Sequence, residues 1–310
     1  ENLSGVENAS EPQKTQSIAE EIRSLVVDSW PVVLSGSITM CFNVVCLVSV
    51  GHVTEKELAG AGFGIMFCNM TGYSVIIGLS SGLDTVASQL FGAGQHKYVG
   101  VALQRTLYIT SIAAIPICIL WISSGLFMNW FVDEDVADVS GSFVSFLSVG
   151  LFPYLGNECV KRYLSAQGLY SPPMYTSLVT LVLYTPLCWM LVDNMQLGAR
   201  GAAFALVLVN FLNLALLLAY IRFRRLHATT WGGWTPDALR GARDYLRVAL
   251  PSCGMICLEW WCFEVVTMIS GRLGTTVVAA QSVMFTTTAI VYMVGLGFSV
   301  ATSVRVGNLR

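Results

Sequence analysis

A chain of 310 residues that is 55% hydrophobic and only 12% charged is far from the composition of a water-soluble domain, which carries about 25% charged residues. Its mean hydropathy of +0.65 makes it a membrane protein of several spans, and a net charge of −2 selects no partner by bulk charge, nucleic acid included. The nine cysteines lie in or beside apolar segments without a Cys-x-x-Cys pair, and His52, His96 and His227 fall in predicted loops. A metal centre, a disulfide framework and a histidine-based intramembrane hydrolase are therefore not expected.

Residues 1–28 are polar and acidic and lack the basic start and short apolar core of a signal peptide. They read as a cytoplasmic tail that turns helical near Ile18. Asn2-Leu3-Ser4 and Asn8-Ala9-Ser10 match the glycosylation triplet but would face the cytoplasm. Eight apolar runs then follow, each long enough to cross about 30 Å of hydrocarbon as a helix. They cover approximately 31–50, 60–83, 105–127, 139–160, 174–192, 200–221, 246–270 and 277–302. The expected fold is thus all-α and polytopic, since a membrane β-barrel would alternate apolar and polar residues.

The chain nearly repeats itself. Pro31 and Gly51 return about 220 residues later as Pro251 and Gly271. At an offset one shorter, Gly78, Ser80, Gln89 and Leu90 return as Gly297, Ser299, Asn308 and Leu309. Internal duplication of membrane segments marks transporters. The second copy has barely begun at Arg310 and the first residue is Glu1, so a fragment of a longer chain is expected. The repeat divides the chain into the tail (1–28), a first six-helix lobe (29–221), a basic cytoplasmic inter-lobe loop (222–245) and the start of a second lobe (246–310).

With the N-terminus inside, inner segments hold Lys14, Arg23, Lys97, Arg105, Lys161, Arg162, the six arginines from Arg222 to Arg247, Arg305 and Arg310. Only Lys56, Arg200 and Arg272 remain outside, while the connection from Asp133 to Asp138 is purely acidic. This is the positive-inside pattern. Trp30, Trp121, Trp130 and Trp231 are expected at the interfaces, as aromatic belts are. The basic loop reads equally as a linker resting on anionic lipid and as a solvated loop that only sets topology.

Asp84 and Glu158 lie near cytoplasmic span ends, where solvation explains them. Glu259 and Glu264 differ. Glu259 is midway between Arg247 and Arg272, so it lies near mid-membrane, where a charge costs about 2.5–3.5 kcal/mol on insertion scales. It should face a cavity. A carboxyl that is neutral with a proton and charged beside a cation is the simplest exchange device. Five residues of helix turn Glu264 about 140° away, so the two cannot share one small site; Glu259, the better centred, is the primary coupling residue and Glu264 the second, either deeper in the same cavity or a structural partner. Trp260 and Trp261 follow Glu259, and Phe263 is one turn away; Phe285 and Tyr292 are seven apart on the next span. Aromatic faces bind cations, though such spacing also serves packing.

Several stretches resemble the eukaryotic branch of the multidrug and toxic compound extrusion (MATE) family. They are Asn69-Met70-Thr71-Gly72, the run from Gly78 to Thr85 with Gln89, Leu258-Glu259-Trp260-Trp261-Cys262-Phe263-Glu264, Ala280-Gln281-Ser282 and Arg305-Val306-Gly307-Asn308. The Thr230-Trp231-Gly232-Gly233-Trp234 loop looks most like vertebrate-type organic cation/proton exchangers. The resemblance implies twelve helices in two six-helix lobes, of which this chain holds the first lobe and two helices of the second. It implies a monomeric, multi-pass, non-enzymatic exporter of small organic cations, driven by a proton gradient without a bound cofactor or metal. The plasma membrane is the expected location. The family's functional residues carry over to Glu259 and Glu264, with Trp260, Asn69 and Tyr292 as lining. Two departures bear on selectivity: vertebrate-type members often have Gln at Gly36 and an acid at Thr286. The alternative is a flippase for amphipathic or lipid-linked substrates, which should place several bases in the first-lobe cavity; the apolar spans read as bare of them.

Overall fold

The computed structural model describes residues 18–273 and 275–308, and all regular structure among them is helical. In chain order the helices are α1 (Ile18–Gly51), α2 (Glu55–Cys68), α3 (Ser74–Gly92), α4 (His96–Ile122), α5 (Glu134–Ala166), α6 (Ser171–Trp189), α7 (Gly198–Phe223), α8 (Ala242–Leu273) and α9 (Thr275–Asn308). A π-helical turn, Asn69–Tyr73, joins α2 to α3 without a break, so these two form one span. Among the described residues eight helical segments are long and apolar enough to cross a membrane. The helices outrun the apolar stretches because their polar ends still satisfy their own backbone, as α5 shows by continuing from Val160 to Ala166.

The element ends follow local chemistry. Thr54 caps α2 by accepting the Glu57 N–H at 3.1 Å. Pro172 and Pro173 occupy the first turn of α6, where a missing N–H costs nothing. Glu57 accepts the Ala199 N–H at 2.6 Å, which sets a carboxylate on the N-terminus of α7. Lys56 pairs with Asp135 beside it. These contacts gather the acidic segments around 55–57, 133–138 and 193–200 at one end of the bundle. A cleft of about 570 Å³ opens there, lined by Glu57, Asp138, Asp193 and Arg200 among others.

The opposite end is basic. Here the segment following α7 is folded onto the first bundle. Gln104, buried in α4, donates to the Gly233 carbonyl at 2.7 Å and accepts the Thr235 N–H at 3.0 Å. Arg105 donates to the carbonyls of Ala238 and Arg240, and buried Thr230 meets the Tyr163 hydroxyl. The loop is therefore pinned to α4 and α5, while Trp234 and its arginines stay exposed.

Among the described residues two hydrophobic cores run through α1–α7, and neither includes a residue of α8 or α9. That last pair packs on the first bundle. α8 lies along α3, while α9 lies along α1 and α3. Glycines permit the approach: a Cβ on Gly82 would sit 2.9 Å from the Ala249 Cβ. At the basic end Arg305 of α9 donates to Glu21 and Ser24 of α1, both at 2.7 Å.

Two sequence expectations are corrected here. Asp84 and Glu158 are not solvated helix ends. Both are buried, Asp84 paired with Arg162 and Glu158 with Lys161. Arg162 also donates to the Ser80 hydroxyl at 3.0 Å, which ties α5 to α3. Trp121 is not a lipid-facing belt residue: it is fully buried against the π-turn. Trp30 and Trp130 are exposed.

Candidate functional site

Glu259 stands close to the midpoint of α8, half-buried. The Tyr292 hydroxyl of α9 donates to its Oε2 over a long 3.5 Å. Glu264 points elsewhere. Its Oε1 accepts the Asn69 side-chain amide of the π-turn at 3.3 Å. The helical phase that separates the two carboxyls thus gives one a partner on its neighbour α9 and the other a partner on the first bundle. Among the described residues neither carboxyl has a basic partner.

Of the expected aromatic lining, Trp260 and Phe263 are half-buried on α8, and Tyr292 is partly exposed at 36%. Phe285 belongs to α9, but its side chain lies outside the described residues. The bridging aromatic is Trp261, whose indole N–H donates to the Met70 carbonyl at 2.8 Å. Nothing in the spacing separated it from Trp260. Only the partner on another helix does so. Gly36 also finds a reason: a Cβ there would lie 2.7 Å from the Met293 sulfur, so α9 fills the space that a longer side chain would need.

This is a polytopic helical bundle in which the sequence-repeated segments pack on one another, and α8 carries two carboxyls that have no basic partner among the described residues. Repeated membrane segments packed on one another are a transporter architecture. The chain belongs to the MatE family, whose model matches residues 31–190 and 251–309. It is 33% identical over 295 residues to Protein DETOXIFICATION 16 of Arabidopsis thaliana, covering 94% of this chain and 61% of that protein. It is 34% identical over 290 residues to Multidrug and toxin extrusion protein 1 of Homo sapiens, covering 93% of this chain and 51% of that protein. The chain therefore spans between about half and two thirds of these relatives' length. The crystal structure of the eukaryotic MATE transporter AtDTX14 superimposes with a TM-score of 0.86 at 30% identity, over 94% of this chain and 65% of that one.

Proposed function

We propose that this chain is the substrate- and proton-handling part of an exporter of organic cations, working by alternating access of the first bundle against a second one that begins with α8 and α9. On this reading the boundaries fall near 28, 221 and 245, and protons on Glu259, with Glu264 second, exchange for the cation. The observation that carries it is a mid-helix carboxyl, Glu259, with a tyrosine beside it and, among the described residues, no basic partner. An acid so placed is costly in hydrocarbon, so such residues are rare and mark substrate or proton paths. The names of the human and plant relatives, extrusion and detoxification, support the direction of transport. The proton gradient is the only energy source required, and Trp260, Phe263, Phe285, Tyr292 and Asn69 supply the lining. The basic end then faces the cytoplasm of a monomer in the plasma membrane. Anionic or lipid-linked cargo is disfavoured, because Arg162 and Lys161 are each occupied by a carboxylate.

The test is uptake of an organic cation into vesicles holding the full chain under an imposed pH gradient. Glu259→Gln should abolish gradient-driven uptake while the protein still inserts. Normal uptake by that variant would overturn the reading.

A further inference from the structure

The π-turn Asn69–Tyr73 interrupts the second span where α8 touches it. Ser74 N–H reaches back to the Asn69 carbonyl, the π spacing, rather than to Met70 as a regular α-turn would. The Met70 carbonyl is met by side chains instead: the Ser74 hydroxyl at 3.2 Å and the Trp261 indole at 2.8 Å. One residue earlier, Asn69 donates to Glu264. A local change in backbone register thus presents an acceptor and a donor together to the acid-bearing segment of α8.

What holds that register is Trp121 of α4. Its indole N–H donates to Thr71 Oγ1 at 2.9 Å, and Thr71 in turn donates to the Phe67 carbonyl at 2.7 Å. Gly72 has no space for a Cβ because the Trp121 ring fills it. Tyr73 sets its ring edge-on to Trp121 at 5.4 Å and tilted against Tyr154 at 4.5 Å. The turn is therefore buttressed from behind by a fully buried ring and engages α8 in front.

We propose that the π-turn is the first-bundle half of the Glu264 site, and that Trp121 is its positioning residue. The inference rests on the reading of Glu259 and Glu264 as coupling acids. A carboxylate accepts the Asn69 amide in a charge-assisted bond, and a neutral carboxyl holds it about half as strongly. Protonation of Glu264 thus loosens a contact between α8 and the first bundle. The other titratable side chains on the elements packed here are Cys257, Glu259 and Cys262 on α8, Tyr292 on α9, Cys68 and Tyr73 on the second span and Tyr154 on α5. Trp121 acts through Thr71, Gly72 and Tyr73 of the turn.

The experiment is a double-mutant cycle in the full chain, read as the initial rate of gradient-driven uptake of an organic cation. Asn69→Leu should lower the rate about tenfold, the scale of one lost hydrogen bond to a charged group. Trp121→Phe keeps an aromatic ring, though a smaller one, and loses the N–H; it should lower the rate severalfold in the parent and not at all in a Glu264→Gln background. The isosteric Thr71→Val should behave like Trp121→Phe, and Thr71→Ser should restore the rate. An equal loss from Trp121→Phe in both backgrounds would overturn the proposal, because a structural role adds where a positioning role does not. A second readout does not need transport. In a chain freed of its nine cysteines, Met70→Cys with Trp261→Cys should cross-link, and Thr71→Val should slow that reaction at least fivefold. If no variant and no parent transports, the proposed function fails. The π-turn inference then stands or falls on the cross-linking rate alone, and an unchanged rate would overturn it.

Discussion

Gly78 of α3 rests on Cys253 of α8 so closely that a Cβ on Gly78 would lie 2.6 Å from the Cys253 Cα. The repeat turns this into two contacts. Gly297 is the counterpart of Gly78, and Val33 is the residue at the offset of Cys253; Gly297 has its own Cβ position blocked by Val33. The same junction therefore occurs once on each side of a pseudo-twofold axis, between α3 and α8 and between α9 and α1. Duplicated helices have kept a duplicated interface.

Gly78→Ala should accordingly destabilise by about 1–3 kcal/mol, as overpacking against backbone does. Gly297→Ala should cost a similar amount. Gly254 faces open space, so Gly254→Ala should cost nothing or stabilise by a few tenths of a kcal/mol. Thermal unfolding in one detergent compares the three. Equal melting temperatures for Gly78→Ala and Gly254→Ala would contradict the tight junction.

The eight spans were legible because a bilayer imposes one length and one composition on every crossing helix. The separation of Glu259 from Glu264 was legible too, because five residues of helix fix an angle. Pairing across the chain was not. Arg162 meets Asp84 from 78 residues away, and no local spacing records that. The π-turn escaped because hydropathy carries no information on which carbonyl an N–H selects. Trp121 escaped with it, since a tryptophan near a helix end reads as an interface anchor until Thr71 and Gly72 are found against it.

The Arg162–Asp84 pair gives a sharper stability test. Asp84 is buried and Arg162 half-buried beside it, and Arg162 adds bonds to Ser80 and to the Ile77 carbonyl. Arg162→Met leaves a buried carboxylate without its base and should cost about 3–5 kcal/mol. Adding Asp84→Asn to that variant removes the stranded charge and should recover a large part of the loss. Chemical denaturation of the three proteins measures it; a double variant as unstable as Arg162→Met would count against an ion pair as the source.

At the basic end, Gln104 is the pin of the loop. Gln104→Leu removes two hydrogen bonds to Gly233 and Thr235 and should expose the 232–241 segment to limited proteolysis. Local opening of this kind leaves the core helices intact. Gly232 faces open space, so Gly232→Cys in a cysteine-free chain reports topology without disturbing the loop. An impermeant maleimide should label it only from the cytoplasmic side. Labelling in intact, right-side-out cells would reverse the orientation.

Tyr292 separates two ways in which an aromatic can serve the same carboxyl. Its hydroxyl reaches Glu259 at 3.5 Å, a length at which a hydrogen bond contributes little. Its ring is partly exposed beside that acid, where a bulky cation displaced by the proton would lie. The quadrupole of the ring attracts such a cation, and a desolvated contact of this kind is worth about 2 kcal/mol, or roughly thirtyfold in affinity. Tyr292→Phe keeps the ring and should leave the apparent affinity for organic cations within about twofold of the parent. Tyr292→Leu removes it and should weaken affinity by roughly thirtyfold, with Trp260→Leu as the second probe on α8. Concentration-dependent uptake of several cations distinguishes the cases. If Phe and Leu at 292 weaken binding equally, the hydroxyl is the working group; if neither does, the ring serves packing between α8 and α9 and the cation is held elsewhere.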